Sequence, residues 1–466
     1  MVQALDGAVR STHDDWFPPS GLLSWADMTT CFYRLAAWAT ALGIAGQVMA
    51  AERPPNFVVI FMDDMGYADP ACFGGHAGLT PNMDRLASEG MRFTSFLVSQ
   101  AVCSASRAAL LTGCHSVRVD VLGALAPHAP AGLAPEEDTI ADVLKARGYI
   151  SAMIGKWHLG DRPPYLPLQQ GFDEYFGLPY SNDMWPVDFD GTPIPPEGTP
   201  WPPKDGRPHR QRYPPLHLME GNERVREIRT LADQDELTRL YTERAVAFIE
   251  RNRERPFFLY LAHSMPHVPL GVSERFRGRS GQGLYGDVMM ELDWSVGEVV
   301  EALRRHGLDR QTLVVVTSDN GPWLNYGNHA GSAKPLREGK GTMWEGGARV
   351  PCIAWWPGRV PAGTTCDRLA ATIDLLPTFA ALAGAPLPPR KLDGVDISPL
   401  LFGHTNAEPR MEFWYYYGRT LTGVRWRNWK LMLPHKSRTY EGLEPGRDGL
   451  PGPLGQRDVT QALYNL

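Results

Sequence analysis

The sequence predicts an α/β protein: a large, mostly parallel central sheet flanked by helices, with a smaller C-terminal unit carrying an antiparallel sheet. Three observations point there. Apolar runs of strand length alternate with amphipathic segments of helical period. Polar clusters follow the ends of those runs, where a doubly wound sheet binds its ligands. After about residue 395 the texture changes to aromatic-rich strands with no helix between them. The 466 residues are 43% hydrophobic and 21% charged, which fits a globular chain and excludes a disordered or fibrous one. A net charge of −6 is not the basic signature of a nucleic-acid binder. With 47 glycines and 41 prolines the chain is rich in loops, and loops on a rigid scaffold carry chemistry.

Taken in order, residues 1–27 are irregular and polar and read as an over-extended leader. Residues 28–50 have the form of a signal peptide. Arg34 precedes a 12-residue apolar stretch from Leu35 to Gly46, and Val48-Met49-Ala50 places small residues before a cut expected after Ala50. Twelve apolar residues are too few to span a bilayer. The expectation is therefore export to the periplasm or medium without stable membrane insertion. No N-x-S/T sequon occurs, which fits a bacterial protein. Cys31 leaves with the signal. Cys72, Cys103, Cys114, Cys352 and Cys366 remain, an odd number that leaves at least one thiol over. Cys352 and Cys366 are close enough in sequence for a disulfide.

Residues 51–395 read as the catalytic α/β domain. Asn56 to Met62 is a buried strand ending in Asp63-Asp64. Thr80-Pro81 caps a helix with Met83, Leu86 and Ala87 on one face and Gly90 as its stop. Ile140, Val143 and Leu144 mark a helix after an Asp138 cap, followed by a strand from Tyr149 to Ile154. Leu237, Leu240, Tyr241 and Phe248 mark a helix leading to the strand Phe257 to Ala262. Leu292, Val296, Val299, Val300 and Leu303 lead likewise to Leu313 to Thr317. Residues 186–215 hold ten prolines and read as a surface excursion. G-Q-G-L-Y-G at 281–286 matches a dinucleotide pattern but follows no strand, so it reads as a flexible loop. Residues 396–466 form the smaller unit, with strands at Glu412 to Tyr417 and Leu421 to Leu433.

The strand exits bring chemistry to one rim. Asp63, Asp64, Asp319 and Asn320 are hard oxygen donors suited to Ca²⁺ or Mg²⁺. Lys156, His158, His267 and Lys340 are cationic or proton-transferring groups able to hold an anion and protonate a leaving group. Trp323, Tyr326 and His329 follow Asp319-Asn320 and could line the pocket, though an ordinary surface loop is the preferred reading.

The decisive segment is C-S-A-S-R at 103–107, followed by A-A-L-L-T-G. It resembles the motif of the type I sulfatases of the alkaline phosphatase superfamily, whose cysteine is oxidised to formylglycine. F-M-D-D-M-G-Y-A-D at 61–69, T-P-N-M-D-R-L-A-S-E-G at 80–90 and G-K-W-H-L-G at 155–160 are similar to further family segments. So are H-S-M-P-H-V-P at 263–269, S-D-N-G at 318–321 and G-K-G-T-M-W-E-G-G at 339–347. The pattern is most similar to the arylsulfatase A branch. The resemblance implies hydrolysis of aryl or carbohydrate sulfate monoesters. It makes Cys103 the modified residue, whose hydrate is the nucleophile, with Arg107 holding that hydrate. Asp63, Asp64, Asp319 and Asn320 become ligands of a divalent cation. Lys156 and Lys340 bind sulfate oxygens, and Ser181 is a further substrate contact. His158 assists sulfate release, and His267 protonates the leaving alcohol. It also implies a partner, the enzyme that matures Cys103.

Three positions depart from the family pattern. Ala105 replaces the commonest proline, and Cys114 stands where arginine is usual. The chain also ends at A-L-Y-N-L, before the final strand or helix of relatives, and is expected to be truncated there. Two other readings follow: a phosphonate or phosphodiester hydrolase of the same superfamily, and a silent sulfoglycan binder in which Cys103 stays a thiol.

Overall fold

The computed structural model describes residues 53–404 and 406–466. The leader, the signal-peptide pattern and Cys31 lie outside the described residues. The main sheet comprises β1 (Asn56–Met62), β2 (Met91–Leu97), β3 (Ile150–Lys156), β4 (Glu174–Leu178), β5 (Leu216–Glu220), β6 (Glu223–Ile228), β7 (Phe257–Ala262), β8 (Thr312–Ser318), β9 (Arg349–Trp355), β10 (Thr364–Cys366) and β11 (Ala370–Ala371). Its order is β10-β2-β9-β8-β1-β7-β3-β4-β5-β6, with β11 on β2. β8, β1, β7, β3 and β4 run parallel. β9 is inserted antiparallel between β2 and β8.

The principal helices are α1 (Pro81–Glu89), α2 (Cys103–Thr112), α3 (Ile140–Lys145), α4 (Leu237–Arg251), α5 (Gly283–Arg305) and α6 (Leu375–Ala383). Side chains alternate across a strand, and β1 shows the result. Phe57, Val59 and Phe61 enter the layer built with α3, α6 and Leu110 and Leu111 of α2. Val58, Ile60 and Met62 enter the opposite layer, with α1, α4 and α5. At the amino end of β1, Asn56 ties three strands together. Its Nδ2 donates to Thr312 Oγ1 at 3.1 Å, and its Oδ1 accepts from Phe257 N at 3.2 Å.

Local expectations are corrected at four places. Thr80 does not cap α1, because its hydroxyl already accepts Ala71 N–H. The Asp293 carboxylate caps α1 instead, accepting Asn82 and Met83 N–H across the fold. The cap of α3 is Thr139 rather than Asp138, in a reciprocal box with Asp142. Within 281–286, Gly283 onward is the first turn of α5 and not a loop. Asp287 accepts the N–H groups of Gly278 and Ser280 and so folds the approach onto the helix. Cys352 and Cys366 do not pair. Both register with Phe93, from opposite sides of β2, about 10 Å apart by strand spacing, too far for a disulfide. Both thiols are free.

Residues 186–215 contain no helix or strand, though Val187, Asp188, Ile194 and Arg210 within the segment are buried. The C-terminal unit has β12 (Glu412–Tyr417), β13 (Thr420–Trp426), β14 (Trp429–Met432), β15 (His435–Thr439), β16 (Gly455–Val459) and β17 (Ala462–Asn465). β12-β13-β14-β17 make one antiparallel sheet, and β15-β16 a separate ribbon. No helix among the described residues is long and apolar enough to cross a membrane.

Candidate active site

Four neighbouring strands, β8, β1, β7 and β3, end on one rim, and each exit supplies polar residues. β1 delivers Asp63 and Asp64, with Asp64 at φ 69°. A non-glycine residue held at positive φ is strained backbone, typical of functional turns. β3 delivers Lys156 and then His158, also at positive φ (60°). Just before them, a Cβ at Gly155 would lie 1.8 Å from Ala262 O, so only glycine lets β3 run this close to β7. β8 delivers Asp319 and Asn320. His267 follows β7, and Lys340 comes from the loop before β9. Cys103 opens α2, with Arg107 one turn on.

These side chains converge. Cys103 Sγ lies 3.6 Å from Asp63 Oδ1. Lys156 Nζ pairs with Asp63 Oδ2 and donates to Ser181 Oγ at 3.0 Å. Arg107 bridges two strand ends, 2.8 Å to Asp319 Oδ2 and 3.3 Å to Asp63 Oδ2, and donates to Lys156 O at 2.9 Å. Lys340 Nζ lies 2.6 Å from Asp64 Oδ1, and His267 Nε2 lies 3.7 Å from Asp64 Oδ2. All of these groups are buried. His263, which also follows β7, turns away and meets Ser295 at 3.0 Å.

Burial and charge compete here. Burial would raise Asp63, but Lys156, His267, Arg107 and Lys340 together hold it well below the usual carboxylate range. Burial and the Asp63 charge raise Asp319, against Arg107. Burial would lower Lys156 and Lys340, but Asp63 and Asp64 respectively keep them charged. Burial, then Asp63, pushes the Cys103 thiol up to about 12. Burial, Lys156 and Arg107 hold His158 well below its usual value and therefore neutral. His158 Nε2 meets Leu125 O at 2.9 Å, while its Nδ1 is buried without a hydrogen-bond partner.

The residues fit a hard divalent cation. Asp63, Asp64, Asp319 and Asn320 converge, and Asp64 Oδ2 and Asn320 Oδ1 are buried with no hydrogen-bond partner. A buried acceptor left open in this way costs about 1–3 kcal/mol, which a cation would remove. Donor atoms of Asp63, Asp64, Cys103 and His267 also lie within 4.8 Å of one another.

Trp323 corrects an expectation. It is not an ordinary surface-loop residue: its ring lies 4.5 Å from Lys340 Nζ and 5.3 Å from the His267 ring. Its position in the loop just after Asp319 was the available signal. A second buried charged cluster was missed altogether. Glu345 accepts from Lys430 at 2.8 Å, Tyr415 at 3.0 Å and Arg349 at 2.7 Å. It joins the Lys340 loop to β12 and β14.

Fold and centre together define an α/β protein with two buried lysines beside a cluster of oxygen donors at the strand exits. Comparison with known proteins makes the class specific. Residues 55–385 match the family model described as Sulfatase, and residues 339–439 match N-sulphoglucosamine sulphohydrolase, C-terminal. The chain is 44% identical to human (Homo sapiens) arylsulfatase A over 371 residues, covering 79% of this chain and 71% of that protein. It is 38% identical to N-acetylgalactosamine-6-sulfatase of Canis lupus familiaris over 426 residues, 89% of this chain and 77% of that protein. The crystal structure of the PsFucS1 sulfatase from Pseudoalteromonas sp. is similar, with a TM-score of 0.76, 29% identity and coverage of 89% of this chain and 84% of that one. The chain belongs to the sulfatase family, on its arylsulfatase A-like branch, and is a sulfuric ester hydrolase.

Proposed function

We propose that the chain hydrolyses aryl or carbohydrate sulfate monoesters at a formylglycine made from Cys103, with Ca²⁺ or Mg²⁺ held by Asp63, Asp64, Asp319 and Asn320. The observation that carries this reading is the state of Cys103. Its thiol is buried at a helix start, ringed by Lys156, Lys340 and Arg107, yet pushed up to about 12. A thiol that keeps its proton at neutral pH is a poor nucleophile, which supports a different group at 103 as the nucleophile in this cationic pocket. Formylglycine would supply a hydrated aldehyde as the nucleophile, and a bound cation would supply positive charge for the ester oxygens.

The chain's own residues do the rest. Lys156, steadied by Ser181, and Lys340 offset the sulfate charge as it concentrates in the transition state. Arg107 holds the group at position 103 and ties Asp63 to Asp319. His267 Nδ1 donates to Val268 O at 2.6 Å, so Nε2 carries the lone pair of the neutral ring and must take up a proton before it can give one to the leaving alcohol. His158 assists sulfate release. The carbohydrate half of the reading draws on the similarity to N-acetylgalactosamine-6-sulfatase. Export belongs to the same reading, supported by the pattern at 28–50, and so does a maturing enzyme as partner. The catalytic unit is 51–395 and the smaller one 396–466.

The test is the mass of the Cys103 peptide from a host with a maturation system, together with turnover of an aryl sulfate. Conversion with turnover sustains the proposal. A free thiol in active enzyme overturns it.

A further inference from the structure

The segment Leu122–Leu125 carries no side chain assigned above, yet it is fastened to the C-S-A-S-R helix at two points and to Gln100, just before that helix, at a third. Gln100 Nε2 donates to Leu122 O at 2.6 Å. Ala105 N donates to Gly123 O at 3.2 Å. Leu125 N donates to Ser104 Oγ at 3.0 Å. Ser104 and Ala105 are fully buried. The N–H groups of a helix's first turn lack partners within the helix, so the segment supplies one to α2. The other side of the same segment reaches the reaction centre, where Leu125 O meets His158 Nε2 at 2.9 Å.

A carbonyl oxygen only accepts, so Nε2 must carry the hydrogen. A neutral imidazole has one N–H, so Nδ1 carries the lone pair. Nδ1 is buried and has no hydrogen-bond partner. It is the one ring atom of His158 left to exchange a proton.

We propose that Ser104 and Ala105 are positioning residues. Through Leu122–Leu125 they hold Leu125 O on His158 and fix the tautomer whose Nδ1 is a proton acceptor. This rests on the formylglycine reading for its catalytic meaning. There, the proton of the unsulfated hydroxyl of the group at 103 would pass to Nδ1 while its electron pair forms the aldehyde C=O and the C–O bond to sulfate breaks, giving an imidazolium that keeps its bond to Leu125 O. It passes to water before the next turnover. The arrangement suits this chain's Ala105. The proline common in the family has no N–H and would leave Gly123 O without its donor.

The test is the ring tautomer of His158, read by long-range nitrogen-15 correlation in wild type, Ser104→Ala, Ser104→Thr and Ala105→Pro. It is read on the unconverted thiol form as well as the mature enzyme. Conversion at 103 is measured by mass, and kcat is divided by the converted fraction. Wild type and Ser104→Thr are expected to show one Nε2–H tautomer. Ser104→Ala and Ala105→Pro are expected to show a mixture. Their corrected kcat should fall roughly three- to tenfold at unchanged KM, the effect of one neutral hydrogen bond. A sole Nε2–H tautomer in both altered proteins overturns the proposal, as does a loss that vanishes on correction for conversion. If wild type shows the expected tautomer but turns over no sulfate ester when converted, the functional reading fails and the tautomer lock stands.

Discussion

Two buried charged clusters are joined by the short stretch from Lys340 to Glu345, and they use charge in opposite ways. Around Glu345, one carboxylate is saturated by Lys430, Arg349 and Tyr415. Burial would raise its pKa, but Lys430 and Arg349 hold it well below the carboxylate range. Around Cys103, carboxylates crowd one another, and acceptors on Asp64 and Asn320 stay open. The lysines record the same contrast. Burial outweighs Glu345 and pulls Lys430 down, whereas Asp63 and Asp64 outweigh burial and push Lys156 and Lys340 up. A closed cluster is a structural clamp, and an open one is held ready for something from outside.

The sharpest separation should come from Cys103→Ala. It is expected to lower kcat/KM on an aryl sulfate by at least about 10³-fold, the usual cost of losing a nucleophile, with no change in thermal midpoint. Glu345→Gln should do the reverse. It leaves Lys430 buried without its counter-charge, and urea unfolding should show a loss of about 3–5 kcal/mol. Activity per folded molecule should change much less. Next comes the cation. Ca²⁺ or Mg²⁺ at about 100 times its dissociation constant should stabilise wild type by about 2.7 kcal/mol. Asp319→Asn should lose that gain, yet in the cation-free state cost less stability than Glu345→Gln, since Arg107 keeps its second partner Asp63 while Lys430 loses its carboxylate altogether. If Asp319→Asn costs as much as Glu345→Gln, the distinction between the clusters collapses.

The smallest effect concerns buried groups kept neutral. Burial lowers His115 to about 4 and His263 to about 3, both from 6.5. The unfolded chain therefore binds these protons first. Their contribution is complete above pH 6.5 and is lost as pH falls toward 4 and 3. At pH 5 each should cost on the order of 2 kcal/mol. His115→Asn, which can keep the bond its Nδ1 makes with Ser99 Oγ, should flatten the pH dependence of the urea midpoint. An unflattened curve would place the acid sensitivity elsewhere, in His263 or the open cluster.

Much of this was legible in sequence because it is local. β1 and β7 fall where their apolar runs do, and the polar pairs at strand exits meet at one rim. What was not legible depends on partners far along the chain. Asp293 displaces Thr80 as a cap because α5 crosses the start of α1. β2 separates Cys352 from Cys366 although they are near in sequence. Glu345 meets Arg349 four residues on, at the start of β9, but its other counter-charge, Lys430, lies in β14, and no spacing rule pairs those segments. The loop Leu122–Leu125 has no side-chain motif, because its work is done by peptide groups.

Asn56 stands at the far end of β1 from Asp63, about 23 Å away by strand rise. Its amide links β1 to β8 through Thr312 and to β7 through Phe257. A slip of one residue would turn every side chain of a strand to the other face. Asn56 is thus a phase reference for the three strands that deliver Asp63, His267 and Asp319. Loops at the rim can be exchanged against this fixed timing. A random screen for lost activity will also return Asn56 variants that inspection of the reaction centre alone would never nominate.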